Sequence, residues 1–173
     1  MSHIERTLIV FKPHAVMRGI VGEILTRFEK VGLKIVGSKM LQPSIEHFHH
    51  HYEEIGKMIT RRGEDKFNTA LGMMQEGPVL AFVLEGIEAA ALVKKMVGPT
   101  EPKSAAPGTI RGDYSLLSFA YADTAGSDVY NVIHCSGDSA EAALEVSHWF
   151  SESELFDYET AHEQFRKPKK DKK

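Results

Sequence analysis

The stretch TLIVFKP, Thr7 to Pro13, decides the fold. Its run of β-branched and aromatic residues has the length of a buried strand, and Pro13, which lacks an amide hydrogen for the ladder, ends it. Lys12 is thereby delivered to the mouth of that strand. Downstream, IVGEILTRFEKVG places Ile20, Ile24, Leu25 and Phe28 at helical spacing, with Gly32 as a C-cap. KIVGSKML predicts a second strand. From Ser44, a plausible N-cap, to about Gln75 the pattern is helical, interrupted by the polar TRRGED. VLAFVLEG, after Gly77-Pro78, predicts a third and central strand, and EAAALVKKMVG a helix closed by Gly98. SLLSFAY and VYNVIHC flank ADTAGSD and predict a hairpin whose second arm is the fourth strand, before a last helix from Ser139 to Phe150. The implied fold class is α+β: a ferredoxin-like four-stranded antiparallel sheet with helices packed on one face.

The chain of 173 residues, 42% of them hydrophobic, can bury one sizeable core, so residues 1–165 are expected to form a single domain. The remaining RKPKKDKK, residues 166–173, is a like-charge run without an apolar anchor and is expected to be a disordered basic tail. A formal net charge of −3 gives the whole chain no preference for nucleic acid or an anionic membrane, so any phosphate-binding charge must be local. The single cysteine, Cys135, excludes an internal disulfide, and no apolar run is long enough to cross a bilayer. With nothing resembling a secretory signal, the expected location is cytoplasmic. No glycine-rich Walker sequence is present, so a phosphate site would have to be built from side chains.

The chemistry gathers around NVIHCS, Asn131 to Ser136, where His134 points outward between apolar neighbours at the end of a predicted strand. Imidazole, with an ordinary pKa of about 6.5, is neutral and nucleophilic near pH 7 and accepts a phosphoryl group without prior loss of a proton. Glu145, on the following helix, can return to bind one ring nitrogen and leave the other free. Lys12 closes the first strand, and Arg111 of TIRGDY closes the long Pro99–Asp113 loop. A lysine, an arginine and a neutral histidine are the inventory that phosphoryl transfer needs.

Bland readings compete with each of these. A strand-end histidine is ordinarily structural, a strand-end lysine ordinarily solvated, and Arg111 could brace Asp113. HFHHHY sets His47 and His51 one helical turn apart, but no cysteine or carboxylate completes a tetrahedral shell, so we read it as structural rather than metal-binding. Cys135 alternates to the face opposite His134 and reads as a small buried hydrophobe.

Five strings occur in one order: ERTLIVFKPHAVMRGIVGEILTRFE, HY at His51 and Tyr52, GPTEP, PGTIRGDY and NVIHCS. Together they resemble the successive signatures of nucleoside diphosphate kinases, from about Glu5 to Phe150. The resemblance implies a ping-pong transfer of the terminal phosphate of a nucleoside triphosphate to a nucleoside diphosphate through phosphohistidine at His134. It implies that Lys12 contacts the transferring phosphate and the sugar 3′-hydroxyl, that Asn131 binds that hydroxyl, and that Arg111 and Thr100 hold phosphates. Tyr52 would sit beside the nucleophile, Glu145 would orient its ring, and Ser136 would support that pair. Lys94 falls where the family usually has an arginine, which keeps the charge and loses the two-pronged grip. Phe67 would stack on the base, with Leu71 as its apolar neighbour. Mg²⁺ would arrive on the nucleotide phosphates, with no metal site on the protein, and copies would assemble as a hexamer or tetramer.

The sequence departs from that pattern in several places. His14 replaces an aspartate, Gly137 interrupts the family's Ser-Asp pair so that Asp138 or Ser139 must cap the last helix, the connection after Tyr52 is longer, and SLLSFAY to GSD is inserted. Two alternatives stay open at this point. One is a binding or regulatory module that has lost catalysis; the other, weaker, is nucleic-acid binding through the tail.

Overall fold

The computed structural model describes residues 3–165; the proposed tail, 166–173, lies outside them. The elements run in the order β1 (Ile4–Phe11), α1 (Pro13–Met17), α2 (Val21–Lys30), β2 (Lys34–Leu41), α3 (Ile45–His49), a π-helical turn (His50–Ile55), α4 (Met58–Arg62), α5 (Glu64–Met74), β3 (Val79–Ile87), α6 (Ala89–Val97), α7 (Ile110–Tyr114), α8 (Phe119–Ala125), β4 (Ile133–Cys135) and α9 (Ser139–Trp149). The four strands form one sheet in the order β2-β3-β1-β4, with every neighbouring pair antiparallel. β1 and β3 are paired along their whole length, from Ile4 opposite Ile87 to Phe11 opposite Leu80.

Side chains on β1 alternate between two cores. Ile9 and Phe11 pack with Ile24 and Phe28 of α2, Val93 and Val97 of α6, and Ile110 of α7. Leu8 and Val10 pack on the other face with Phe48, Met73, Met74, Val146 and Trp149. Helices therefore cover both faces, which corrects the expectation of one. The unbroken apolar run of TLIVF carried that information, because a strand with one wet face would alternate with polar residues. Burying each of these large side chains stabilises the fold by about 1.5–3 kcal/mol.

Local chemistry sets the boundaries as expected at most points. The Ser44 side chain accepts from the His47 amide at 3.2 Å and starts α3, Gly63 (φ 87°) separates α4 from α5 within TRRGED, and Gly98 (φ 84°) ends α6. Asp138 caps α9, its carboxylate accepting from the amides of Ala140 and Glu141 at 2.9 Å each.

The predicted hairpin is overturned. SFAYADTAG is the helix α8, capped where Ser118 Oγ accepts from the Tyr121 amide at 3.2 Å and ended by Gly126 in a left-handed conformation (φ 64°). The fourth strand shrinks to Ile133–Cys135. The apolar residues of SLLSFAY ahead of a glycine-containing turn suit a strand, but Leu116, Phe119 and Tyr121 are 87%, 38% and 62% exposed and face no sheet. Without a neighbouring strand to bury the alternate side chains, alanine's helical preference and the serine cap prevail.

Candidate active site

β1 ends where the antiparallel β4 begins, Phe11 lying opposite Ile133, and their pairing fixes the site. Val10 lies opposite His134, so the imidazole projects toward α9, while Ile133 and Cys135 point into the other core. Burial pushes the Cys135 thiol up to about 11, against the opposing pull of Arg111, so it is an inert thiol at neutral pH.

His134 Nε2 lies 2.8 Å from Glu145 Oε1, and Glu145 Oε2 accepts the Ser136 hydroxyl at 2.6 Å. Ser136 Oγ in turn accepts the Leu8 amide at 3.3 Å, tying the relay to β1. Burial pushes the Glu145 carboxyl upward, but the charge and hydrogen bond of His134, with the Ser136 hydroxyl, outweigh it and hold Glu145 at about 2. An ionised carboxylate can only accept, so Nε2 of His134 carries the ring proton and Nδ1 keeps a free lone pair.

The neighbouring His51 is 2% exposed and packs edge-on against His134, with centroids 4.5 Å apart. Its Nδ1 accepts from Trp149 Nε1 at 3.2 Å, and burial holds its pKa well below the ordinary value, so it is neutral. Nitrogens of His51 and His134 and a Glu145 oxygen lie within 4.8 Å of one another, the geometry of a three-ligand metal site. Each residue is already engaged in the hydrogen bonds just described, which hold the His134 ring in place. His47, its helical neighbour, turns away and stacks on His148 at 4.0 Å, so the pair one turn apart does not converge.

Lys12, 7% exposed, enters the same cavity from the end of β1. Burial lowers its ammonium to about 8; Asp128 opposes that fall, and Arg111 and Arg62 add to it. Arg111, also 7% exposed, donates to three carbonyls: Gly98 at 3.0 Å, Asn131 at 3.3 Å and Ile133 at 2.7 Å. Asp113, the carboxylate it could have braced, pairs with Arg27 at 2.8 Å instead. A guanidinium has five N–H groups, so those three bonds leave two for the cavity. The loop reaches this shape through Gly112, where a Cβ would collide with the Ala106 carbonyl.

Asn131 donates from Nδ2 to the Thr100 carbonyl at 2.8 Å, and its buried Oδ1 has no partner. The buried hydroxyl of Tyr52 is likewise unpartnered, and burial raises its pKa. Unsatisfied polar atoms facing a cavity mark a place for a polar ligand. Lys94 lies at the rim, its Nζ donating to the Gly137 carbonyl at 2.6 Å.

Between Asn131 and Ile133 the chain makes a three-residue turn, the Ile133 amide donating to the Asn131 carbonyl at 2.8 Å around Val132 at φ 73°. For a β-branched residue that conformation costs on the order of 1–3 kcal/mol and persists only where the surroundings over-determine it.

The structure thus brings together Lys12, Tyr52, Lys94, Thr100, Arg111, Asn131, His134 and Glu145 around one cavity of about 270 Å³, with Ser136 behind Glu145. Phe67 and Leu71 are not on its wall: Phe67 is 4% exposed and packs edge-on against His49, and Leu71 packs on the second core. The mouth is formed instead by Met58, Arg61, Arg62, Ala70, Phe119 and Asp128. Arg62 lies 5.5 Å from the Phe119 ring centroid, and Lys66 pairs with Asp123, so α8 leans across α4 and α5. The sequence reading passed over Arg61 and Arg62 as a polar interruption, although two adjacent arginines in a chain of local phosphate signals were a usable sign.

The sequence profile described as nucleoside diphosphate kinase matches residues 5–155. The chain is 42% identical to the nucleoside diphosphate kinase of Borreliella burgdorferi over 157 residues, 90% of this chain and 92% of that protein. It is 43% identical to that of Pyrococcus furiosus, with 100% and 99% of the two chains covered. Among solved structures it resembles a transition-state mimic of the Borrelia burgdorferi enzyme with bound vanadate and ADP, with a TM-score of 0.89 and 41% identity over 92% of this chain and 95% of that one. A halophilic enzyme from Halobacterium salinarum in complex with CDP gives a TM-score of 0.79 and 33% identity, covering 95% and 99%.

Proposed function

The chain belongs to the nucleoside diphosphate kinase family, and from that premise we propose that it moves the terminal phosphate between nucleotides through a covalent intermediate on His134 Nδ1. The observation that carries this reading is the proton on Nε2, which Glu145 fixes at 2.8 Å while the other nitrogen is left free beside buried cations. In the first half, the Nδ1 lone pair attacks the terminal phosphorus of a triphosphate, the bond to the bridging oxygen breaks, and the diphosphate leaves with that electron pair. The ring becomes a phosphorylated imidazolium whose Nε2–H remains on the Glu145 carboxylate. In the second half, a terminal oxygen of another diphosphate attacks phosphorus and the electron pair returns to Nδ1. No proton changes hands on the ring, which suits a buried and permanently ionised carboxylate.

Lys12 and Arg111 neutralise the transferring and inner phosphates, with Thr100, Lys94 and Arg62 on the path toward the mouth. The sugar 3′-hydroxyl donates to the unpartnered Asn131 Oδ1 and accepts from Lys12. The base lies at the mouth against Phe119 rather than Phe67, with Arg62 on the other side of that ring. The cavity wall carries more ammonium and guanidinium groups than free carboxylates, so it fits a Mg²⁺ that is held by the nucleotide's own phosphates and spreads their charge, rather than a protein-ligated ion. Assembly into a hexamer or tetramer and a cytoplasmic location remain part of the proposal. Among the described residues no helix is long and apolar enough to cross a membrane.

The test is to incubate the protein with Mg²⁺ and ATP labelled in its terminal phosphate. An acid-labile, base-stable label that passes to GDP supports the reading. No label on a folded protein would favour a binding module that has lost its chemistry.

A further inference from the structure

We propose that His14 is a positioning residue for this transfer: its Nε2 lone pair holds the Val132 amide, and with it the strained turn that presents Asn131 and His134, without placing a negative charge beside Lys12. The inference rests on the phosphohistidine reading given above. Two reciprocal hydrogen bonds make the grip. The Lys12 amide donates to the Val132 carbonyl at 3.0 Å, and the Val132 amide donates to His14 Nε2 at 2.9 Å. Residues 12–14 therefore clasp Val132 on both of its polar atoms. The Arg111 guanidinium takes the carbonyls on either side of it, at Asn131 and Ile133.

A backbone N–H can only donate, so Nε2 of His14 must be unprotonated and the ring proton must sit on Nδ1. An imidazolium has no lone pair and could not make this bond. His14 is 7% exposed, and its ring meets Tyr130 edge-on at 4.9 Å. Burial, with the charges of Lys12 and Arg18, keeps it at about 3, so the clasp is unaffected by pH through the neutral range.

The position also sets the electrostatics of Lys12, which faces Asp128, Arg111 and Arg62. A neutral acceptor leaves Lys12 near 8, whereas a carboxylate at position 14 would raise it. The protonated ammonium is the working form, so the rate falls as pH rises through that value.

Three variants separate the roles. His14→Leu keeps volume and removes the acceptor, His14→Gln offers a neutral acceptor at the same reach, and His14→Glu offers a charged one. His14→Leu should slow phosphoenzyme formation by on the order of 10²-fold, as a small displacement of a nucleophile does, with a smaller loss of nucleotide affinity through Asn131. His14→Gln should restore most of the rate, and His14→Glu should also move the alkaline limb of the rate profile upward. Nitrogen NMR of the wild type should show His14 unprotonated at Nε2 across the neutral range. A folded His14→Leu protein labelled at the wild-type rate, or a His14→Gln protein as slow as the leucine variant, overturns the inference. If the leucine variant does not fold, the glutamine variant decides: near-normal labelling supports the role, and slow labelling of a folded protein overturns it. A wild type that takes no label sinks the transfer reading itself; a labelled wild type with an indifferent His14→Leu sinks only this inference.

Discussion

The two ends of the cavity are built differently. At the phosphate end three groups are tied to the main chain: Arg111 to three carbonyls, Ser136 to the Leu8 amide and Asn131 to the Thr100 carbonyl. At the mouth, Phe119 and Arg62 meet by a ring–cation contact at 5.5 Å on exposed helices, and α8 is held to α5 by the exposed Lys66–Asp123 pair. Phosphate chemistry tolerates no slack, so the backbone of the sheet itself supplies the geometry. The base contact proposed for Phe119 is stacking, which is tolerant, so short helices suffice there.

That contrast can be broken at either end. His134→Ala should leave the fold intact and reduce turnover by on the order of 10⁴-fold or more, with no phosphoenzyme. Retained turnover would end the covalent route. Glu145→Gln should cost on the order of 10²-fold, because an amide can present its N–H to Nε2 and so favour the wrong tautomer. A comparison of acid stability tests the same carboxylate. Its folded pKa of about 2 lies below the ordinary carboxylate value, so its stabilising contribution is full above about 4.5 and fades as pH falls toward 2. Wild type and Glu145→Gln should therefore differ in unfolding midpoint at pH 7 and converge in strong acid.

At the mouth, Phe119→Ala should weaken binding of purine and pyrimidine nucleotides alike by about 1–3 kcal/mol, read as a raised KM with kcat kept. The control is Phe67→Ala, which should lower stability by about 3–5 kcal/mol while leaving the KM of the folded protein unchanged. If Phe67→Ala raised KM and Phe119→Ala did not, the assignment of the base contact would reverse.

Legibility in the sequence follows the same division. KIVGSKML was read to the residue, and His134, Lys12, Arg111 and Asn131 could be joined to one sheet end, because strand pattern and proline or glycine stops are local signals. The mouth is less legible for a physical reason. The resemblance sets Phe67 at the base, whereas its buried ring packs against His49. SLLSFAY ahead of a glycine-containing turn has the local signs of a strand, yet it joins no strand of the sheet, and only tertiary context reveals that. The role of His14 was hidden as well: the sequence showed that it replaces an aspartate, but not that it reaches an amide 118 positions away.

Arg111 has a consequence beyond charge. β4 is the last strand of the sheet, and the carbonyls of Asn131 and Ile133 point away from β1 toward its open side, where the guanidinium covers both. An uncovered strand margin is a template on which another chain can add. An Arg111→Leu protein leaves both carbonyls without that partner and should be prone to self-association as well as impaired in handling phosphate.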